Sequence, residues 1–165
     1  MNVKIYSRKA MEELLQHGFP ENTAVISFYD PAPKGREPID YLGQAERVFQ
    51  VALHDIDFDI LEMFGFSYGT YFPEADSLAE FILSAQADGL DIICQCEYGQ
   101  SRSAGCGAAI LEYFCKTGIS VFSDYRYYPN QMVYNKVYEA LCRVGSDSGC
   151  KSDIRNPYKR PIHTD

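Results

Sequence analysis

The sequence predicts an α/β fold: a single domain with a mainly parallel central sheet and helices on both faces. Strand-like runs alternate with amphipathic helical segments, the order that builds parallel crossover units. One of those runs, Leu90 to Cys94, is almost wholly apolar, as a central strand buried on both faces must be. The 165 residues supply one core and are too few for two ordinary domains.

Val3 to Tyr6 alternates as a short strand. Lys9 to His17 places Met11, Leu14 and Leu15 on one helical face before Gly18 and Pro20 stop it. Ala24 to Tyr29 is a stronger strand, β-branched and aromatic, closed by Asp30-Pro31. Pro33, Lys34, Gly35, Arg36 and Pro38 then read as an exposed loop. Val48 to Leu53 is strand-like again and runs into His54, Asp55, Ile56, Asp57, Phe58 and Asp59. This carboxylate cluster lies just beyond a strand's C-terminal end, where ligand sites of open α/β sheets lie.

From Ser77, Leu78, Phe81, Ile82 and Ala85 keep helical spacing until Asp88-Gly89. After the Leu90 to Cys94 strand comes Cys96-Glu97-Tyr98-Gly99-Gln100-Ser101-Arg102-Ser103. Ala104 to Phe114 follows, a small-residue stretch able to form a deeply buried helix. An aromatic loop, Tyr125 to Tyr128, precedes a helix over Pro129 to Val144 with Val133, Val137 and Leu141 as its stripe. The domain is expected over 1–145, and 146–165 reads as a polar C-terminal tail whose Lys151, Arg155, Lys159 and Arg160 suit a solvated face.

Hydrophobic residues at 46% and charged residues at 23% are the balance of a globular chain and not of a disordered one. The net charge of −8 argues against nucleic acid as a partner, because a polyanion would be repelled. No apolar run reaches the roughly 18 to 20 residues of a membrane span. Lys4, Arg8, Lys9, Glu12 and Glu13 stand where a signal peptide would be apolar, so no membrane association and a cytoplasmic location are expected. The six cysteines lie in periodic segments and read as thiols. Cys94-x-Cys96 is too close for a usual zinc knuckle and the three histidines are scattered, so no metal and no cofactor are expected.

A cysteine and an arginine separated by five residues, between a buried strand and a helix N-terminus, can cup a tetrahedral oxyanion in successive backbone N–H groups. The same positive field stabilises a thiolate at Cys96 and makes it a nucleophile. Arg102 can offer two parallel N–H donors to phosphoryl oxygens, and Gly99 permits the backbone conformations a tight turn needs. The spacing alone is a weak signal. The internal glycine, the hydroxyl after the arginine, the buried strand before and the small-residue helix after make it specific.

These residues resemble the protein-tyrosine-phosphatase superfamily, whose signature is His-Cys-x2-Gly-x2-Arg-Ser/Thr. The element order and short length are most similar to its small dual-specificity-type branch, over about Val48 to Leu141. Pro129-Asn130 before a helix is similar to the start of a late helix there. The resemblance implies a dual-specificity-phosphatase-like fold and a tyrosine or dual-specificity phosphatase hydrolysing phosphomonoesters in two steps. Cys96 attacks phosphorus to form a cysteinyl-phosphate, Arg102 holds the transferring group, and Ser103 helps the thiolate leave. The loop amides of Glu97, Tyr98, Gly99, Gln100 and Ser101 bind the phosphate together with Arg102. An aspartate from an earlier loop acts as general acid; Asp55 is placed that way, while Asp57 and Asp59 compete with it and each also suits a cap or a solvated position. The implied substrate is a phosphorylated protein side chain.

Gln95 stands where the family has histidine, and this motivates a second reading, a phosphate-binding pseudophosphatase that recognises phosphorylated partners. A third is a rhodanese or Cdc25-like cysteine enzyme, which has no need of the Asp55 loop. Cys96 also suits an inert buried thiol, and Arg102 a surface residue at a helix start, although a cation there opposes the helix dipole unless an anion is bound. Ser103 also suits an N-cap. Cys94, on the same strand face as Cys96, and Cys106, one turn into the helix, read as packing residues that could also trap an oxidised Cys96. The aromatic loop either walls a pocket or covers the sheet edge, and His54 either positions Asp55 or is structural.

Overall fold

A computed structural model describes residues 1–31, 37–41 and 43–147. The chain runs β1 (Val3–Ser7), α1 (Arg8–His17), β2 (Thr23–Tyr29), β3 (Arg47–Ala52), α2 (Ala75–Ala87), β4 (Asp91–Cys96), α3 (Arg102–Cys115), α4 (Ile119–Phe122) and α5 (Gln131–Asp147). Two single 3-10 turns, Phe58–Ile60 and Glu62–Phe64, lie between β3 and α2. All three strand pairings are parallel, in the order β1-β4-β2-β3. The α/β class, the parallel sheet and the helices on both faces expected from the sequence are therefore present.

Alternation along the central strands divides the core. Ala24, Ile26 and Phe28 of β2 and Ile92, Cys94 and Cys96 of β4 face the larger side, packed by α2, α3 and α5. Val25 and Ile93 face the smaller side, where Met11 of α1 joins Ile39 and Tyr41. Both strands are thus apolar on both faces, which is why they read as continuous hydrophobic runs. On α2, Leu78, Ala79, Ile82 and Ala85 are fully buried, and on α5 so are Val133, Val137 and Leu141. Burial of each leucine or isoleucine contributes about 1.5–3 kcal/mol.

Local chemistry sets the helix ends. Ser7 caps α1 by accepting from the Ala10 amide at 3.1 Å. Asn130 caps α5, its Oδ1 accepting from Val133 N at 2.9 Å. Small residues let α3 pass close to its neighbours: a Cβ on Gly105 would lie 2.4 Å from the Asn130 carbonyl oxygen at the start of α5.

Several boundaries differ from the sequence reading. β4 extends through Gln95 to Cys96, because Ser7 of β1 pairs with Cys96 and continues the ladder. The short α4 and the two 3-10 turns carry no long periodic signal and were not expected; the first turn is capped by Asp57, whose side chain accepts from Phe58 N at 2.9 Å. Helix α5 runs to Asp147, past the expected domain end at 145. Most of the expected tail (148–165) and the loop residues Pro33, Lys34, Gly35 and Arg36 lie outside the described residues. Among the described residues no helix is long and apolar enough to cross a membrane.

Candidate active site

The C-terminal ends of β4, β2 and β3 meet at one edge of the sheet, and the sequence-predicted loop turns there. Residues 97–101 carry the chain from β4 into α3. The loop's carbonyls are drawn away from its centre: Glu97 O accepts from Arg8 N at 3.1 Å, Gln100 O from Tyr128 N at 2.9 Å, and Ser101 O from Gly105 N at 2.8 Å and Asn130 N at 3.2 Å. Among the described residues, the amides of Tyr98, Gly99, Gln100, Ser101, Arg102 and Ser103 donate to no protein acceptor. Such a run of unpaired N–H groups at a helix N-terminus is an anion-binding concavity. Gly99 sits in the left-handed region at φ +69°, and a Cβ there would be 2.5 Å from Ser7 N, so the turn requires glycine twice over.

Cys96, the last residue of β4, is 1% exposed, and its Sγ lies 3.0 Å from Ser103 Oγ. Ser103 is inside α3 and its hydroxyl is directed to the thiol, so it is not the N-cap that the sequence also allowed. Ser101 holds that position, with no side-chain cap bond. Arg102 is 2% exposed, the largest fully buried side chain in the protein's described part. Its Nη1 donates to Leu53 O at 2.6 Å and forms an ion pair with Asp30 at 2.8 Å. Its Nε is buried without a hydrogen-bond partner and lies 3.7 Å from Asp55 Oδ2. A buried cation with an unpaired donor is costly unless an anion meets it.

The three competing carboxylates separate by geometry. Asp55 Oδ1 accepts from Ser101 Oγ at 2.6 Å and from Asn130 Nδ2 at 3.1 Å, which fastens it to the loop. Asp57 is used structurally: besides capping the first 3-10 turn it accepts from Gln131 N at 3.1 Å. Asp59 is exposed in the first turn of that 3-10 segment. The Asn130 amide also donates to Ile56 O at 2.9 Å, so one side chain ties the Asp55 segment to α5.

The surroundings settle several alternatives. Gln95 points to the opposite sheet face from Cys96. Its Oε1 accepts from Ser27 Oγ at 2.6 Å and from Tyr41 OH at 3.4 Å, a buried network in which burial pushes the Tyr41 phenol up to about 12. The Cys106 thiol is raised well above its ordinary value, first by burial and then by its hydrogen bond with Cys94; these two belong to the core behind the loop. The His54 ring packs on Phe64 and Phe66 at 5.9 and 5.7 Å, while its carbonyl accepts from Tyr71 OH at 2.6 Å. Burial, and then the charge of Asp55, raise the Tyr71 phenol above its ordinary value. Tyr127 does both things the sequence allowed, packing on Ile5 at the sheet edge and lining with Arg126 a cavity of about 450 Å³, whereas Tyr125 and Tyr128 are 89% and 75% exposed. Glu97 and Tyr98 line a cavity of about 500 Å³ against α1 together with Ser7, Arg8, Lys9 and Glu12.

The structure thus brings Cys96, Ser103, Arg102, Asp55 and the 97–101 loop together. Asp30 and the side-chain ties of Ser101 and Asn130 to Asp55 were not read from the sequence. The one available signal for Asp30 was its place directly after a strand, the same argument that drew attention to Asp55.

No protein-family model matches the sequence, and no curated protein is similar to it. Among solved structures the chain is similar to PTPMT1 in complex with PI(5)P, at TM-score 0.53 and 15% identity over 89% of this chain and 94% of that one. PTPMT1 without that ligand gives TM-score 0.52 and 17% identity over the same shares. Human DUSP28 aligns at TM-score 0.48 and 14% identity over 88% and 94%. At these identities the likeness is one of fold: the chain shares the single-domain α/β fold of PTPMT1, with a parallel sheet and helices on both faces.

Proposed function

We propose that this chain is a cysteine-dependent phosphomonoester hydrolase of the tyrosine or dual-specificity type. The observation that carries the reading is the cup itself: six consecutive amides with no protein acceptor, and Arg102 buried with its Nε unpaired. Three oxygens of a phosphoryl group match such a cup, and few other ligands supply that many acceptors at one point.

In this reading Cys96 Sγ attacks phosphorus and the alkoxide or phenoxide leaves, taking a proton from Asp55. Water, deprotonated by Asp55, then displaces the thiolate, and the Ser103 hydroxyl stabilises the departing sulfur from 3.0 Å. Cup amides and Arg102 neutralise the phosphoryl oxygens through both steps. Asp55 is favoured over Asp57 because its Oδ2 lies 3.7 Å from Arg102 Nε, while Asp57 is spent on two backbone amides. The tie between Asp55 and the loop also favours a phosphatase over a rhodanese-like enzyme, which has no use for an acid there. The proposed substrate is a phosphorylated protein side chain, lying against Tyr98 of the loop and Tyr128, whose amide meets the loop at Gln100 O, both of them exposed.

The test is metal-free hydrolysis of p-nitrophenyl phosphate under reducing conditions by wild type, Cys96→Ser and Asp55→Asn. Turnover abolished in Cys96→Ser and lowered in Asp55→Asn is expected. A wild type that binds vanadate without turnover overturns the enzyme reading in favour of a phosphate-binding module.

A further inference from the structure

We propose that Asp30 is a positioning residue: it holds one edge of the Arg102 guanidinium so that the opposite edge faces the cup and Asp55 stays available. The inference rests on the phosphate-ester reading above and concerns a carboxylate which that reading does not use.

A guanidinium is planar and rigid, so fixing one nitrogen fixes the direction of the others. Nη1 of Arg102 is held from two sides, by the Leu53 carbonyl at 2.6 Å and by Asp30 at 2.8 Å. Both partners lie at strand ends, Leu53 after β3 and Asp30 after β2, and the Leu53 amide donates to Tyr29 O at 3.0 Å, locking the two ends together. Pro31 disfavours helical backbone at Asp30, which restricts the segment the carboxylate arrives from. Nη1 lies on the side of the guanidinium next to the arginine's own chain. Nε and Nη2 form the other, side-on edge, which carries two parallel N–H donors, and Nε is the donor left unpaired.

Two carboxylates therefore compete for one cation. Asp55 Oδ2 is 3.7 Å from Nε, too far for a good hydrogen bond and near enough to become one after a small rotation. Without Asp30 the guanidinium is free to turn onto Asp55, which would consume the fork that binds phosphate. The charge of Asp30 works against that turn from the opposite edge, with its side chain 44% exposed at the site's margin.

The experiment compares wild type, Asp30→Ala and Asp30→Asn by tungstate titration calorimetry and by steady-state hydrolysis of aryl phosphates with good and poor leaving groups. Asp30→Ala is expected to weaken tungstate and raise KM about tenfold for both aryl phosphates, with a smaller fall in kcat that is larger for the poor leaving group because Asp55 is drawn onto the arginine. Asp30→Asn keeps an oxygen acceptor without the charge and is expected to lose about threefold; being nearly isosteric, it guards against a folding defect in the alanine variant. Tungstate affinity within twofold of wild type, or tighter, in Asp30→Ala overturns the proposal, as does a loss confined to kcat for poor leaving groups, which would make Asp30 a proton donor. A wild type that binds no tungstate overturns the phosphate-ester reading along with it, whereas a wild type that binds while Asp30→Ala binds equally well overturns this inference alone.

Discussion

Replacing Gly99 by alanine separates the two demands that the loop makes on its backbone. Gly99 has φ +69°, a region that costs an L-residue about 1–2 kcal/mol. The added Cβ would also stand 2.5 Å from Ser7 N, 2.7 Å from Tyr6 C and 2.9 Å from Ser7 Cα, all backbone atoms of β1. Restoring contact at about 3.5 Å requires the loop or the strand to move by about 1 Å, and overpacking of this kind costs about 1–3 kcal/mol. The two terms give about 2–5 kcal/mol, or a fall in Tm of about 10 °C for a chain of this size. A 1 Å displacement of the cup should also lower kcat/KM about 100-fold. Gly65→Ala is the control: its φ is +77° but no atom lies within 4 Å of the added Cβ, so it carries the conformational term alone. Thermal melting and p-nitrophenyl phosphate turnover read both variants. If Gly99→Ala matches Gly65→Ala in melting and keeps wild-type turnover, the steric reasoning is wrong.

Two further outcomes follow from the site's neighbours. Asn130→Ala removes the cap on Val133 N and leaves the Ile56 carbonyl without its donor, a loss of about 2–3 kcal/mol in urea unfolding. The same variant unties Asp55 and should lower kcat; unchanged stability would show that the Asn130 contacts are made equally well by water. Tyr41, pushed up to about 12 by burial, contributes stability that is fully present below its unfolded value near 10 and is lost as pH rises through 12. Unfolding free energy should fall by about 2 kcal/mol from this group between those limits. Tyr138, also raised to about 12 by burial, titrates in the same window, so Tyr41→Phe should make the fall shallower without abolishing it. An alkaline slope identical to wild type would count against the burial argument.

The buried Gln95 network bears on how the loop is supported. Gln95 stands between two inward-facing cysteines of β4, and strand alternation therefore sends it to the α1 side, away from the thiol. There it bonds β2 through Ser27, its register partner in the parallel ladder, at 2.6 Å. It thus fastens the strand that carries Cys96 without placing an ionisable group behind that thiol.

Element types and their order were legible in the sequence because they depend on local pattern: the β-branched and aromatic run of Thr23–Tyr29, and the i, i+4, i+8 stripe of Val133, Val137 and Leu141. The loop of unpaired amides was legible for the same reason. Its donors are consecutive residues, and a contiguous turn between strand and helix needs little from the rest of the chain. The choice among the carboxylates was not. Asp55 meets Ser101 across 46 residues and Asn130 across 75, and Arg102 meets Leu53 across 49. Those meetings exist only because the order β1-β4-β2-β3 brings the C-terminal ends of β2, β3 and β4 to one edge. No local pattern records which aspartate ends up beside the arginine, so Asp30 reads as the close of a strand, and Asp57, two residues from Asp55, becomes a cap. The sequence by itself determined which residues the loop between strand and helix holds and in what order. The tertiary structure decided which distant groups orient it, because parallel pairing joins residues that the chain keeps far apart.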